Sequence, residues 1–321
     1  MLLKFLKMCI ANKTLWKLLF FGNDTYSLPA LKALHNEFKS GRLLRKLEVC
    51  TSKHGEIVQN YANQNKLKLH EWPIKLEHGQ FDVGVAESFG HLIPEHVIDK
   101  FKCGILNAHP SLLPRWRGAS PLFYTLANGD KEAGMTIMKI KSKKFDEGDI
   151  ILQEAVPIDE HVNIVELSEK MSHIGAQKII HVLSDLENNL KMARPQPNTG
   201  ILLAPKITEN FALINWATHT AKEIYNLERS IMEYFTPYTI WKGIRVKLYG
   251  FRVTTFYGNM DNLRPGFVFY DKKIKQLKIL CADNTWVSVH QVGIYGKKNK
   301  SALQFNSSYV LKELEENRYF D

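Results

Sequence analysis

The chain has 321 residues, 45% of them hydrophobic and 24% charged, a globular composition long enough for two packed domains. Its 43 Lys and Arg against 33 Asp and Glu give a formal net charge of +10, which favours phosphate-bearing partners over acid-rich or neutral ones. Cys9, Cys50, Cys103 and Cys281 are scattered with no C-x-x-C pair, which argues against a disulfide framework and a zinc ribbon, and no apolar run reaches the roughly 18 residues that span a bilayer.

Residues 1–14 open a basic stretch, with Lys4, Lys7 and Lys13 followed by Lys17 and no acid before Asp24. Leu2, Leu3, Phe5, Leu6 and Ile10 form one apolar helical face there, and the pattern reads as a mitochondrial transit segment. Residues 16–21 predict a buried strand; Gly22 follows, and Ser27 caps a helix with Pro29 in its first turn. The alternation continues with extended 47–51, helix 56–64, extended 68–70 and 82–86, helix 94–100 and extended 104–107. That order predicts an α/β unit, a Rossmann-like and mainly parallel sheet covered by helices, with chemistry at the carboxyl ends of its strands.

A helix over 121–128, bracketed by Pro121 and Gly129, strands at 135–140 and 150–156, and an amphipathic helix over 163–186 complete a domain spanning 15–188. Residues 189–203, with Pro195, Pro197 and Gly200, read as a linker. Beyond it, apart from a helix near 218–231, short extended runs at 239–241, 245–248, 251–254, 266–270, 277–281 and 286–292 predict a small, OB-like β-barrel over 204–321. This part holds 17 Lys and Arg against 11 Asp and Glu, a net of +6, and is the better candidate for docking a polyanion.

The most informative segment is Gly104-Ile-Leu-Asn-Ala-His-Pro-Ser-Leu-Leu-Pro-Arg-Trp-Arg-Gly118, an apolar strand running into two polar side chains and a Pro-rich loop. Pro110 biases His109 toward extended backbone, and extended residues two apart face the same way, so Asn107 and His109 converge on one atom. Asn offers a fixed N–H for a developing oxyanion, and His donates or accepts a proton near neutral pH. Lys144-Phe-Asp-Glu-Gly-Asp149 supplies carboxylates from a loop between two strands; Gly148 permits a tight turn, and an Asp here holds the tautomer of His109. Each residue also has a plainer reading as a turn former, and spacing alone leaves both open. Ser111 lacks a G-x-S-x-G elbow, His70, His78, His91 and His96 have no metal-ligand spacing, and Phe21-Gly22-Asn23-Asp24 is no dinucleotide fingerprint.

Over nearly its whole length the sequence resembles the methionyl-tRNA formyltransferase family, the mitochondrial members in particular. The resemblance rests on the motif 107–118, then Gly129-Asp130, Met135-Thr-Ile-Met138, Phe145-Asp-Glu-Gly-Asp149, Ala204-Pro-Lys-Ile207 and Ile214-Asn-Trp216. It implies a formyltransferase domain followed by a tRNA-binding barrel, with Asn107, His109 and Asp146 in the catalytic positions. It further implies 10-formyltetrahydrofolate as co-substrate against Ser88, Phe89, Gly90, Phe145, Asp146 and Gly148, and the acceptor end of initiator methionyl-tRNA near Arg115, Trp116, Arg117 and Lys206. No metal is implied, and a monomer in the mitochondrial matrix is expected. Two departures stand out: only Ser52-Lys-His-Gly55 follows the strand 47–51 where bacterial relatives carry a long basic insertion, and Asn215 replaces the usual Asp before Trp216. A formyltransferase acting on a small amine and a catalytically inert RNA-binding protein remain as alternatives; the basic barrel weighs against the first, and the intact Asn, His and Asp against the second.

Overall fold

The computed structural model describes residues 15–142, 144–258 and 260–321; the expected transit segment, 1–14, lies outside them. By packing, the chain divides into two compact units. One comprises the chain up to Pro121 with Glu132–Pro157 and Glu166–Pro205, the other Leu122–Lys131, Ile158–Val165 and Lys206–Asp321.

The first unit is built on a seven-stranded sheet. Its strands are β1 (Trp16–Phe21), β2 (Leu44–Thr51), β3 (Lys68–Glu71), β4 (Val83–Ala86), β5 (Ile105–His109), β6 (Glu132–Lys139) and β7 (Asp149–Pro157), in spatial order β3-β2-β1-β4-β5-β6-β7. The first five run parallel, and β6 and β7 pair antiparallel. Central strands covered on both faces read as near-continuous apolar runs, and β1, Trp-Lys-Leu-Leu-Phe-Phe, has its last four residues fully buried. The order reverses between β1 and β4. Crossovers there leave a crevice at the strands' carboxyl ends, the usual binding place in such sheets.

Helices α1 (Leu28–Ser40), α2 (Glu56–Gln64), α3 (Glu95–Ile98), α5 (Ile164–Ser184) and α6 (Leu186–Lys191) follow the expected alternation, with α4 (Pro121–Ala127) between β5 and β6. Helix α1 has Pro in its first turn and stops at Gly41, whose φ of 63° lets its N–H reach the Glu37 and Phe38 carbonyls, a conformation that favours glycine. Ser27 stands at the start of α1 but makes no capping bond. Its backbone is helical and its hydroxyl donates to the Asp24 carbonyl, so Asp24 takes the turn instead, accepting from the Ser27 N–H at 3.1 Å. The stretch read as a linker lies along this unit: Arg194 and Ile150 exchange both backbone bonds at 2.8–2.9 Å, and Arg117 bridges to Leu203.

The second unit holds two antiparallel four-stranded sheets. One, in order β10-β13-β12-β11, consists of β10 (Arg252–Thr254), β11 (Val268–Asp271), β12 (Gln276–Leu280) and β13 (Trp286–Val289). The other, in order β15-β14-β9-β8, consists of β8 (Tyr238–Trp241), β9 (Ile244–Tyr249), β14 (Gln291–Ile294) and β15 (Lys300–Ser301). One core serves both: Trp241, Val246, Leu248 and Val292 pack with Leu277, Ile279, Val287 and Val289. The run expected as one strand over 286–292 breaks at His290, where the chain passes from one sheet to the other. Helix α7 (Ala221–Ile231) opens with a capping box, Thr220 and Glu223, and buries Ile224, Leu227 and Ile231, the spacing of one helical face. Helix α8 (Ala302–Ser308) is capped in the same way by Ser301 and Gln304. Asn215 closes a turn by accepting from the Ala217 N–H at 3.1 Å; Asp would do the same, so that departure leaves the local fold intact. Among the described residues no helix is long and apolar enough to cross a membrane.

Candidate active site

The carboxyl ends of β1, β4 and β5 lie side by side, since Phe21 registers with Ala86 and Ala86 with Asn107. Asn23 and Asp24 follow β1, Glu87 to Gly90 follow β4, and Asn107 and His109 end β5 two residues apart, hence on one side of it. Asn107 is half-buried, and its amide makes no side-chain hydrogen bond with another described residue. His109 is buried, as is most of the Asp146 carboxyl. The His109 Nε2 donates to the Trp116 carbonyl at 3.0 Å, and its Nδ1 lies 3.5 Å from Asp146 Oδ1. Both facing groups are acceptors. Asp146 Oδ2 in turn accepts from the Gly118 N–H at 2.9 Å.

The loop 110–118 is fastened from beneath. Thr136 Oγ1 donates to the Ser111 carbonyl at 2.6 Å and accepts from the Leu113 N–H at 3.3 Å, and Gln153 Nε2 donates to the Leu113 carbonyl at 2.9 Å. Ser111, expected as a turn residue, gives its hydroxyl to the Arg115 carbonyl at 2.7 Å. Three non-glycine residues here hold positive φ: Ser88 at 46°, Trp116 at 60° and Asp146 at 55°. Such backbone costs of order 1–3 kcal/mol each and gathers at functional sites.

Phe89 is buried against Phe21 and Trp72, with ring centroids 5.3 and 5.2 Å away, so it anchors the 86–90 segment. Ser88 and Gly90 are exposed; the Ser88 hydroxyl donates to Asp24, and the Asn23 amide to the Phe89 carbonyl. Asn23 Oδ1 also accepts from Thr51 Oγ1 and the Ser52 N–H, both at 2.8 Å, tying the ends of β1, β2 and β4 together. Phe145 is 59% exposed beside Asp146. Gly148 is buried and its backbone lies outside the left-handed region, and what it supplies is room: a Cβ there would stand 2.0 Å from the Lys139 carbonyl oxygen.

Trp116 is buried with the Arg115 guanidinium 4.6 Å from its ring centre. The Arg117 guanidinium is neither solvated nor free: its Nε and Nη2 donate to Gln196 Oε1 at 3.0 and 2.7 Å, and Nη1 lies 3.5 Å from Glu147. Lys206 opens the longest stretch of the second unit and is exposed there. Sequence reasoning missed Asn23, Thr136, Gln153 and Gln196; for Gln196 the available signal was its place between Pro195 and Pro197, which stiffen the chain on both sides.

Glu87 is fully buried, and neither carboxyl oxygen has a hydrogen-bond partner among the described residues. Burial, then the charge of Asp24, pushes its carboxyl well above the usual carboxylate range, which favours the neutral form. The buried Tyr26 hydroxyl is pushed up by burial, then by Glu87 and Asp24. Gly175 of α5 leaves the space for Glu87, since a Cβ there would stand 2.6 Å from Glu87 Oε1. Cys50 and Cys281 are free and buried, and burial pushes each thiol up to about 12, which makes them packing residues rather than nucleophiles.

A formyl transferase family model matches residues 39–183, and a model of the formyl transferase C-terminal domain matches residues 206–310. Fold and matched domains together define a formyl transferase. The chain is 38% identical over 313 residues to "Methionyl-tRNA formyltransferase, mitochondrial" of Bos taurus and 39% identical to that of Homo sapiens, each alignment covering 94% of this chain and 79% of the relative. The chain therefore belongs to the methionyl-tRNA formyltransferase family. Among solved structures, a sugar 3N-formyl transferase determined with dTDP and 5-N-formyl-THF has a TM-score of 0.63 at 20% identity, covering 89% of this chain and 100% of that one. HypX from Aquifex aeolicus in complex with tetrahydrofolic acid has a TM-score of 0.53 at 16% identity, covering 92% of this chain and 48% of that one. At these identities the likeness is one of fold.

Proposed function

We propose that the chain transfers the formyl group of 10-formyltetrahydrofolate to the amino group of initiator methionyl-tRNA, as a monomer in the mitochondrial matrix, for the initiation of translation there. The observation that carries the chemistry is His109 held between the Trp116 carbonyl and the Asp146 carboxylate at the end of the strand that presents Asn107. The neutral amine of the methionyl ester attacks the formyl carbon, a C–N bond forms, and the carbonyl oxygen becomes an oxyanion. Asn107 and protonated His109 donate to that oxygen, the formyl oxygen taking the place of the Trp116 carbonyl at Nε2. Asp146 orients the ring. As the intermediate collapses, the bond to the folate nitrogen breaks and that nitrogen takes up the proton the amine gives away, so charge and atoms balance without a covalent enzyme intermediate.

The crevice between the ends of β1 and β4 suits the pterin, which on this reading lies against Ser88, Phe89 and Gly90 and the loop of Phe145, Asp146 and Gly148. Phe89 serves by fixing the backbone, and exposed Phe145 by covering a ring. Arg115 and Trp116 stand by the incoming acceptor end, Arg117 supports the loop there, and Lys206 belongs to the basic second unit, whose surplus of positive charge supports a polyanionic substrate. The test is substitution of Asn107, His109 and Asp146 by Ala. Each should lower formyl transfer by on the order of 10² to 10⁴ with methionyl-tRNA binding nearly unchanged; equal loss of binding and turnover would remove the assigned roles.

A further inference from the structure

We propose that Gln196 is a positioning residue for formyl transfer, its side-chain amide clamping the loop that carries Asp146 to Arg117 and thereby keeping the carboxylate beside His109. The inference rests on the catalytic reading above.

The Asp146 loop's own side-chain pairs, Lys144 with Glu147 at 2.9 Å and Lys141 with Asp149 at 2.6 Å, are exposed. Asp146 sits at φ 55°, Phe145 is exposed, and residues 140–142 and 144–148 lie outside the pairing of β6 with β7. Backbone held in that region persists only where its surroundings impose it. Gln196 supplies that constraint from fifty positions away: its Nε2 donates to the Asp146 carbonyl at 2.7 Å and the Gly148 carbonyl at 2.9 Å. On the other side its Oε1 accepts both Arg117 bonds, and Arg117 Nη1 faces Glu147 of the same loop. Two donors and one twice-used acceptor exhaust what an amide offers. Only Gln matches that pattern at that length.

The clamp is itself anchored. Arg194 pairs with Ile150 at the start of β7, and Arg117 N–H donates to the Leu202 carbonyl while Ala204 N–H donates to that of Arg117. Pro195 and Pro197 fix the backbone on either side of Gln196. The next link after Arg117 is Gly118, whose N–H holds Asp146 Oδ2. Gln196 thus sets the loop's backbone and, through Arg117 and Gly118, the carboxylate, without touching His109.

Two variants separate positioning from plain packing. Gln196→Met keeps the length and loses all four bonds; Gln196→Glu keeps the acceptor for Arg117 and sets a carboxylate against the two loop carbonyls. Both should lower kcat by about 10- to 100-fold, the scale of a 1 Å misplacement, with KM for methionyl-tRNA within about twofold of the parent. In an Asp146→Asn background Gln196→Met should add little further loss, because both act on one group. Wild-type kcat in folded Gln196→Glu and Gln196→Met, or full additivity with Asp146→Asn, would overturn the proposal. Hydrogen exchange of the Gly118 amide reads the same loop without substrate: it should quicken at least tenfold in Gln196→Met, and unchanged exchange would overturn the clamp. A parent enzyme that binds but does not formylate methionyl-tRNA, with quickened exchange in the variant, would reject the proposed function and leave the clamp standing.

Discussion

Replacing Gly148 with Ala tests whether the loop that carries Asp146 is placed by close packing. The added Cβ would meet the Lys139 carbonyl oxygen at 2.0 Å, where ordinary contact begins at 3.4 Å, so something must move by about 1.4 Å. Lys139 cannot readily give, because it pairs with Leu106 of β5 and Asp149 of β7. The displacement falls on the loop, two residues from Asp146, whose Oδ1 already lies 3.5 Å from His109 Nδ1. A shift of that size in a catalytic group costs roughly 10²-fold in rate. Single-turnover formyl transfer, with thermal unfolding followed in parallel, measures it. Gly41→Ala is the control: its φ of 63° makes Ala cost about 1–2 kcal/mol of stability, yet nothing lies within 4 Å of the new Cβ, so its rate should match the parent's. A folded Gly148→Ala enzyme with parental rate would refute the reasoning, as would a loss no greater than that of Gly41→Ala.

Glu87→Gln should make stability less dependent on pH. The buried Glu87 carboxyl is raised in the native protein and returns to about 4.3 on unfolding, so the native state keeps a proton the unfolded chain releases. Stability from this group is therefore full below the ordinary carboxylate range and falls as pH rises, by up to about 1.4 kcal/mol per pH unit, until the raised value is passed. Melting temperatures at pH 5, 6.5 and 8 should show the variant gaining on the parent as pH rises; a difference that stays constant would contradict the raised Glu87 carboxyl. Methionyl-tRNA affinity should drop steeply with salt, and Ala at the exposed Lys247, Lys297 and Lys298 should reduce the logarithmic salt slope by about one for each phosphate no longer neutralised. A slope that the triple variant leaves unchanged would place the RNA elsewhere.

The frame of the protein was legible because short-range signals dominate it. Apolar β1, Pro29 at the start of α1, and the run from Ile105 into Asn107 and His109 each depend on residues close in sequence. The α8 capping box, Ser301 with Gln304, is equally local but went unread after the extended run over 286–292. What stayed hidden depends on distance. Gln196 lies in a stretch whose prolines read as a linker, while its partners are 50 and 79 positions away. Gly148 looks like a turn glycine, and its need is space beside Lys139 rather than positive φ. Glu87 stands in a segment that alternates little between polar and apolar; its burial without a hydrogen-bond partner among the described residues emerges only once α5 brings Gly175 opposite.

The most direct test of the central claim is transfer of labelled formyl from 10-formyltetrahydrofolate, offered methionyl-tRNA beside glycinamide ribonucleotide, an amino sugar and uncharged tRNA. Label on the amino group of methionyl-tRNA alone, abolished in His109→Ala, is the predicted result; label on a small amine, or none on any acceptor, would contradict the account.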